Sequence, residues 1–373
     1  MPGYAGDVVE SALAQRRQRV AHAARQSGID VVLVTPGPDL RYLCGYDATP
    51  LERLTCLVLP VRGEPRLVVP QLERPAAQTS PAAELRIVDW SETEDPVAVC
   101  VQLAGAGVRT VAVDDRMWAE KVLAFRDAMP GTRQVAAGDV LSAQRMRKDT
   151  AEIASLAEAA AAIDAVHARM GEWLRPGRTE REVAFAVARG IHEAGHERVD
   201  FVIVASGPNG ASPHHAPSTR IVAPGDTVVV DIGGTMPSGY CSDSTRTYAI
   251  GQPSRDAREE YAVLQRAQQA AVEAVRPGVS AQSVDAAARS VITDAGLGAL
   301  FVHRTGHGIG VETHERPYMV AGNDELLEPG MAFSIEPGIY QPGRHGARIE
   351  DIVVVTEAGC RRLNQRPREL VVL

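Results

Sequence analysis

Carboxylates stand in two segments of this chain where the neighbouring side chains are apolar. Asp231 lies in VVVDIGG and Glu336 in FSIEPGIY, and each is followed along the chain by a second acid, Asp243 or Glu350. A carboxylate taken from water without a partner is strongly disfavoured, or its pKa shifts until it is neutral. Residues that face each other across a hairpin approach to ~5 Å, so each acid is expected to face the acid of the other strand. Four carboxylates in one cleft repel one another, and two divalent cations would nearly neutralise them.

A histidine-rich segment supplies a fifth ligand. In HRTGHGIGVETHE, glycines flank His307, and His303 and His314 lie on either side of it. An oxygen-rich site with one imidazole suits Mn²⁺ or Co²⁺, with Zn²⁺ or Fe²⁺ as alternatives, and suits Mg²⁺ less well. A second pair, His214 and His215, lies in the loop ASPHHAPSTR. Taken alone, each histidine is more often a surface or hydrogen-bonded core residue, but together with the acids they predict a metal site.

The region that holds these residues shows an internal duplication. Two Arg-Pro-Gly turns are each followed by a hydroxyl residue, Thr179 or Ser280, that is suited to cap a new helix. Each helical stretch is followed by two predicted strands joined by a glycine-rich turn, over 227–250 in the first copy and 332–357 in the second. Each of these strands carries one of the four acids. A chance recurrence of the turn is the alternative explanation, and the matching acids argue against it.

Residues 1–145 have a different pattern. A helix is predicted near 7–27, and short apolar runs bounded by proline, glycine or aspartate predict buried strands. These strands are expected at 31–34, 55–60, 65–70, 86–90 and 110–115. The alternation predicts a small α/β domain without a phosphate-binding glycine loop, and we expect it to serve as a scaffold, a gate or an oligomerisation surface. A helix that starts near Asp149 opens the second domain, 146–373.

The length and composition of the chain limit the classes of protein to which it can belong. A chain of 373 residues exceeds what one hydrophobic core usually supports, which favours two domains. The formal charge is −8 and the basic residues are scattered among acids, so we expect no nucleic-acid partner. The amino terminus lacks the apolar core of a signal peptide, no run of about 18 apolar residues occurs, and the cysteines include no CxxC pair. We therefore expect a cytoplasmic protein with reduced thiols and no membrane partner.

The ordered set of motifs resembles one known family. A histidine in a Pro-His loop is followed by VVVDIGG, GYCSDSTRT, TGHGIG, IEPGIY and RIED. This set is similar to that of methionine aminopeptidase, aminopeptidase P, prolidase and creatinase. The resemblance covers about residues 150–373 and implies an α+β pita-bread catalytic domain with an internal pseudo-twofold repeat. Residues 1–145 resemble the amino-terminal α/β domain of aminopeptidase P, prolidase and creatinase, which methionine aminopeptidase lacks.

The resemblance implies a metal-binding role for each acid. Asp231 would chelate one cation, and His307 with Glu336 would complete the other. Asp243 and Glu350 would bridge the two. All five ligand positions are filled here, whereas members of the creatinase type that work without metal depart from this set. Glu336 would also accept a proton from the attacking water and pass it to the leaving nitrogen.

The resemblance also assigns residues around the metals. His214 and His314 would hydrogen-bond the substrate and the tetrahedral intermediate. The family places its functional histidine directly after proline, which favours His214 over His215. Arg348 would orient one of the two bridging carboxylates, with His303 in a similar supporting role.

One departure from the family pattern concerns the first pair of acids. Asp231 and Asp243 are 12 residues apart, which is one more than is common in the family. The extra residue is expected in the turn TMPSG, so the hairpin tip would be longer and both ligands would be kept.

A second departure concerns the carboxylate of the substrate. Prolidases are expected to carry an arginine four residues after the second histidine of the glycine loop, where a guanidinium clamps the free carboxylate of a dipeptide. Here that position is Tyr318, and the nearest arginine is Arg316. Arg344 and Arg348 are the alternative cations. The sequence therefore predicts that Xaa-Pro tripeptides or longer peptides are cleaved at least as well as dipeptides.

The leading functional expectation is hydrolysis of a peptide bond that precedes proline, in the manner of aminopeptidase P or prolidase. One alternative is hydrolysis of a small non-peptide amide or amidine, such as a creatine-like or ectoine-like compound. A second alternative is a non-catalytic binding protein. The family resemblance also implies a homodimer.

Overall fold

The computed structural model describes residues 11–373. By its contacts the chain divides into two compact units, one that ends at Arg145 and one that spans Met146–Leu373. The first part of the helix predicted near 7–27, and the first half of the amino-terminal segment without a signal-peptide core, lie outside the described residues. Among residues 11–373, no helix combines the length and the apolar character needed to cross a bilayer.

The first unit is an α/β domain built on one six-stranded sheet. Its strands are β1 (Val31–Val34), β2 (Cys56–Pro60), β3 (Arg66–Pro70), β4 (Arg86–Trp90), β5 (Thr110–Val113) and β6 (Arg133–Ala136). Its helices are α1 (Ala12–Gln26), α2 (Pro38–Cys44), α3 (Arg74–Thr79), α4 (Pro96–Ala104), α5 (Ala119–Ala128) and α6 (Gly138–Arg145). The strands are ordered β4-β3-β2-β1-β5-β6, with antiparallel pairs at β1–β2 and β2–β3 and parallel pairs elsewhere.

The α/β character predicted for this unit is confirmed. All five predicted strands are present, with ends that differ by at most two residues from the prediction. The sequence did not predict β6, because Arg133 and Gln134 interrupt its apolar pattern. This strand lies at the edge of the sheet and none of its side chains is fully buried, so it does not need an apolar run.

The second unit contains the motifs of the predicted site. Its helices are α7 (Thr150–Ala168), α8 (Met170–Trp173), α9 (Glu180–Glu193), α10 (Arg255–Ala274) and α11 (Ala281–Asp294). Its strands are β7 (Arg198–Ser206), β8 (Thr227–Thr235), β9 (Cys241–Ala249), β10 (Gly306–Gly308), β11 (Glu315–Met319), β12 (Ala332–Ile335), β13 (Gly338–Gln341), β14 (His345–Arg348), β15 (Asp351–Thr356), β16 (Gly359–Arg362) and β17 (Val371–Val372). They form sheets ordered β17-β9-β8-β7, β11-β10-β12-β15-β16 and β13-β14.

The predicted internal duplication is confirmed in the helices. The two turns place Gly177 and Gly278 at φ angles of 88° and 81°, in the left-handed region that glycine adopts without strain. Thr179 and Glu182 form a reciprocal capping box at the start of α9, and Ser280 occupies the corresponding cap position of α11. Both helices have 14 residues. The two copies therefore begin with the same turn and a hydroxyl residue at the same cap position, but the Ser280 hydroxyl makes no capping hydrogen bond and lies 2.8 Å from Oγ of Ser283.

Each copy buries its own apolar core. In the first copy α7, α8 and α9 pack on the sheet that contains β8 and β9, and in the second copy α10 and α11 pack on the sheet that contains β12 and β15. Each cap residue also forms an isolated bridge to a later loop, Thr179 with Ile221 and Ser280 with Leu326. The repeated arrangement holds the acid-bearing strands of the two copies against helices in the same way.

The second copy departs from the predicted two-strand hairpin. β12 ends at Ile335 and β15 begins at Asp351, so Glu336 and Glu350 lie just beyond strand ends and not within strands. Between them β13 and β14 form a separate two-stranded sheet. Pro337 has no N–H to donate to a ladder, which explains why the strand ends at this point. The prediction of one strand on each side of a single turn was wrong for this copy.

Candidate metal centre

The first two acids lie on one face of the β8–β9 hairpin. The strands pair without a break, and Asp231 lies opposite Thr245 while Gly233 lies opposite Asp243. The acids are therefore diagonal neighbours, and the prediction that they face each other directly was wrong. Diagonal positions still share a face because side chains alternate along a strand. The pairing is unbroken through both acids, so the residues that are not paired between them form the turn at 236–240, and the extra residue in this turn stays a prediction.

The other two acids meet where the β12–β15 ladder ends. Ile335 pairs with Asp351, and the next residues outward are Glu336 and Glu350. The backbone N–H of Glu350 donates to the carbonyl of Thr245 at 3.1 Å, and the Thr245 hydroxyl donates to Oε2 of Glu350 at 2.7 Å. These two bonds join β9 of the first copy to the acid of the second copy.

His307 turns one ring nitrogen toward the acids. Nδ1 lies 3.0 Å from the carbonyl oxygen of Gly308, and this bond assigns the ring proton to Nδ1. Nε2 lies 3.5 Å from Oδ2 of Asp243 and 3.3 Å from Oε1 of Glu336. The Ser334 hydroxyl accepts a hydrogen bond from the backbone N–H of His307 and donates to Oε1 of Glu336. The lone pair of Nε2 is thus directed at the two carboxylates.

The five residues predicted as ligands come together in overlapping groups. The ligand atoms of Asp231, Asp243 and Glu350 all lie within 4.8 Å of one another, and so do those of His307, Glu336 and Glu350. Glu350 belongs to both groups, as a bridging ligand would. All the members are buried except Glu336, which is partly exposed.

The electrostatics of these residues fit divalent cations. Oδ1 of Asp231 and Oε1 of Glu350 are buried and have no hydrogen-bond partner among the described residues. Burial, together with repulsion from Glu350 and Asp231, raises the pKa of Asp243 well above its ordinary value, and burial with repulsion from Glu336 does the same to the pKa of Glu350. Burial lowers the pKa of His307 to about 3, which keeps the ring in its neutral, metal-binding form. Cations in this cluster would relieve the repulsion and satisfy the unpaired oxygens.

Arg348 contacts a different carboxylate from the one predicted. The sequence assigned it to one of the bridging acids, but Nη2 lies 2.6 Å from Oδ2 of Asp231. Nε donates to the Thr245 hydroxyl at 3.1 Å, and only through that hydroxyl does Arg348 reach Glu350. Arg348 lies on β14, which packs beside β8 and β9, so its guanidinium approaches from the side of Asp231. The direct contact with Asp231 was not predicted, and the predicted orientation of a bridging carboxylate by Arg348 stays a prediction.

His303 supports the cluster indirectly, through hydrogen bonds of other residues. Its Nδ1 lies 2.7 Å from the carbonyl oxygen of Arg304, and its Nε2 lies 2.8 Å from the hydroxyl of Tyr340. The same hydroxyl accepts a hydrogen bond from Nη1 of Arg348 at 2.8 Å. Burial lowers the pKa of His303 to about 4, so the ring is neutral near pH 7. A chain of hydrogen bonds therefore runs from His303 through Tyr340 and Arg348 to Asp231.

The predicted substrate-binding histidines are exposed. The ring centre of His314 lies 3.8 Å from that of His307. One ring nitrogen of His314 lies within 4.8 Å of a carboxylate oxygen of Asp243 and of a ring nitrogen of His307. His214 is exposed in the loop that follows the short 3-10 turn Gly207–Ala211. The carbonyl of the preceding Pro213 accepts a 3.3 Å hydrogen bond from Arg348. This bond ties the loop of His214 to the residue that holds Asp231.

Several residues around the site were not predicted from the sequence. The Thr245 hydroxyl links Arg348 to Glu350, and the Tyr340 hydroxyl links Arg348 to His303. The Ser334 hydroxyl links His307 to Glu336. Thr245 lies two residues after Asp243 and therefore on the same face of β9, which was the one available signal. Ser334 lies two residues before Glu336 and carries the same kind of signal, whereas Tyr340 carries none.

Comparison with known proteins identifies the family of both units. A model of metallopeptidase family M24 matches residues 154–357, and a model of the creatinase/prolidase N-terminal domain matches residues 16–147. The probable dipeptidase PepE of Mycobacterium tuberculosis is 54% identical over 96% of this chain and 96% of its own length. An Xaa-Pro dipeptidase of Lactobacillus delbrueckii subsp. lactis is 38% identical over 94% of this chain and 96% of its own length.

A solved structure shows the same fold. The prolidase from Thermococcus sibiricus matches with a TM-score of 0.92 and 37% identity, and the match covers 98% of this chain and 100% of that one. The predicted resemblance and the pita-bread architecture are thereby confirmed. Because the family model covers more than half of the chain and relatives align over nearly all of it, this protein belongs to metallopeptidase family M24.

Proposed function

We propose that this protein is an Xaa-Pro dipeptidase that depends on two divalent cations. The observation that carries the proposal is the convergence of Asp231, Asp243, His307, Glu336 and Glu350, with two buried oxygens that lack partners within the described residues. Relatives named Xaa-Pro dipeptidase and prolidase support the class of substrate. Four carboxylates and one imidazole suit Mn²⁺ or Co²⁺, with Zn²⁺ and Fe²⁺ as alternatives.

Different residues of the site are suited to different roles in the reaction. Two cations bound here would lower the pKa of a shared water and polarise the carbonyl under attack. Glu336, oriented by the Ser334 hydroxyl at 3.1 Å, is suited to accept the proton of the attacking water and to deliver it to the leaving nitrogen. His314 and His214 are exposed at the site and suited to donate hydrogen bonds to the substrate carbonyl as it becomes negative. Arg348 fixes Asp231 in place.

Two observations bear on the length of the peptide substrate. The absence of an arginine at Tyr318 favours longer peptides, whereas relatives named dipeptidase favour two residues. We propose the dipeptide, because those relatives align over nearly the whole chain. A matched pair of substrates, Xaa-Pro and Xaa-Pro-Gly, compares the two directly.

Metal reconstitution with a small panel of substrates tests the proposal. The chelated protein is expected to be inactive, and Mn²⁺ or Co²⁺ is expected to restore release of proline from an Xaa-Pro dipeptide but not of alanine from the Xaa-Ala control. Full activity after chelation would overturn the metal dependence. Turnover of creatine or a small cyclic amide without turnover of any Xaa-Pro peptide would support the alternative non-peptide function.

We also propose that the protein acts in the cytoplasm as a homodimer. Its cysteines are free thiols, and four of the five are buried, which suits a reducing compartment. The homodimer is an inference from the family. Light scattering on the purified protein gives the mass in solution, and a monomeric mass would contradict it.

A further inference from the structure

Arg304 is a cation at the edge of a site dominated by acids. Its side chain is half-buried, and its guanidinium lies 4.2 Å from the ring centre of Tyr318. Within residues 11–373 the guanidinium makes no hydrogen bond and no ion pair with a protein group. Stacking on an aromatic ring fixes the plane of a guanidinium and leaves the N–H groups at its edge available to a ligand.

The pairing of β10 with β11 places this cation on the face of the metal centre. Tyr318 lies directly opposite His307 in the ladder, and directly opposite residues project from the same face of a sheet. His307 faces Asp243 and Glu336 on that side. The ring of Tyr318, and with it the guanidinium of Arg304, therefore lies on the same side as the predicted ligands.

We propose that Arg304 binds the free carboxylate of a dipeptide substrate and so fulfils the function of the arginine that this chain lacks at position 318. The inference rests on the proposed dipeptidase function. A planar guanidinium pairs with a carboxylate through two parallel hydrogen bonds, and a half-buried cation that pairs with no acid among residues 11–373 gains most from such a ligand. One more residue displaces the carboxylate by up to about 3.5 Å, so Arg304 favours two residues over three.

A substrate pair that differs only in charge tests the proposal. The dipeptide Xaa-Pro and its C-terminal amide have the same shape, and only the first carries the carboxylate. Arg304→Ala is expected to lower kcat/KM for the dipeptide about tenfold or more, mainly through KM, and to leave the amide within about threefold. The control Arg316→Ala removes an exposed arginine on β11 and is expected to leave kcat/KM unchanged for both substrates. Metal content, measured in every variant, is expected to stay the same.

A relocated cation gives a second readout. In the double variant Arg304→Ala with Tyr318→Arg, the arginine stands at the expected family position and should restore the preference for the dipeptide over the amide. Equal losses on dipeptide and amide in Arg304→Ala, with metal content unchanged, would overturn the carboxylate role. An unchanged preference of Arg304→Ala for the dipeptide over the amide would overturn it as well.

Binding separates this inference from the proposed function. A dipeptide analogue with a reduced peptide bond, and its amide, are titrated into the metal-loaded protein by calorimetry. Tighter binding of the carboxylate form, lost in Arg304→Ala, supports the inference even if the wild-type protein hydrolyses no Xaa-Pro peptide and the proposed function fails. Equal affinity of wild-type protein for the two analogues overturns the inference even if hydrolysis is observed.

Discussion

Nε2 of His215 lies 2.8 Å from Oε2 of Glu180, and this contact anchors the loop that carries His214. Glu180 is fully buried in the first turn of α9, and its carboxylate also accepts hydrogen bonds from the backbone and hydroxyl groups of Ser206 and Ser218. His215 thus faces inward to a structural acid while its neighbour is exposed. The two adjacent histidines occupy different environments, and the functional role of His214 stays a prediction.

Replacing Glu180 is expected to destabilise the protein. Glu180→Ala leaves the buried N–H of Ser206 and the partly buried N–H of Ser218 without an acceptor, at a cost of about 2–4 kcal/mol in the free energy of unfolding. Glu180→Gln keeps the shape and one acceptor, and is expected to cost about half as much. Urea unfolding measures both, with Glu158→Ala on the exposed face of α7 as the control. A Glu180→Ala protein as stable as the control would show that this network contributes nothing.

The same carboxylate predicts a dependence of stability on pH. Although burial opposes ionisation, hydrogen bonds from Ser218 and Ser206 lower the pKa of Glu180 from 4.5 to about 2. A carboxyl group with a lowered folded-state pKa contributes stability above its unfolded pKa and loses it as the pH falls through the folded value. The stability advantage of wild type over Glu180→Gln is therefore expected to be constant above pH 5 or so and to shrink toward pH 3. Denaturant titrations at several pH values test this, and a constant difference down to pH 3 would contradict it.

Loss of either acid shared between the copies is expected to remove metal. Asp243→Ala or Glu350→Ala takes a ligand oxygen from the groups that these residues join, so at least one metal equivalent and nearly all activity should be lost. Elemental analysis and a peptidase assay measure the two effects. Asp256→Ala, which removes an exposed acid paired with Arg344, serves as the control. Two full equivalents of metal in Glu350→Ala would refute its assignment as a ligand.

Arg348→Lys is expected to weaken metal binding without unfolding the protein. The guanidinium holds Asp231, the Tyr340 hydroxyl and the Thr245 hydroxyl at once, and an ammonium group cannot reproduce this planar set of donors. Because an orienting partner is lost, the metal affinity is expected to fall by about tenfold to hundredfold. Calorimetric metal titration tests this beside Arg344→Lys, which alters an exposed ion pair. Equal affinity in the two variants would contradict the role of Arg348.

The sequence predicted those parts of the fold whose signals are local. An acid within an apolar run identified Asp231, and the spacing of Thr179 and Glu182 identified the start of α9. These features depend on neighbours within a few residues, so no knowledge of the tertiary structure was needed. The grouping of Asp231 with Asp243 and Glu350 also followed, because the duplication indicated that the two hairpins correspond.

The details that could not be predicted depend on how distant strands pack. The partner of Arg348 is determined by the position of β14 beside β8, and the role of Tyr340 arises only once β13 and β14 form their own sheet. Likewise the stacking of Arg304 on Tyr318 depends on the register of β10 and β11. Side-chain direction across such pairings is a tertiary property, and the spacing of residues along the chain does not encode it.

The contact between Thr245 and Glu350 has a consequence for the order of folding. The two residues are 105 positions apart, and their hydrogen bond is one of those that join the two copies. Contacts between residues so distant in sequence form late, because the entropy of closing the intervening loop must be overcome first. A cation held by carboxylates of both copies can bind only after the copies have docked. Metal uptake during refolding is therefore expected to follow the recovery of helix and sheet, and would report the last stage of assembly.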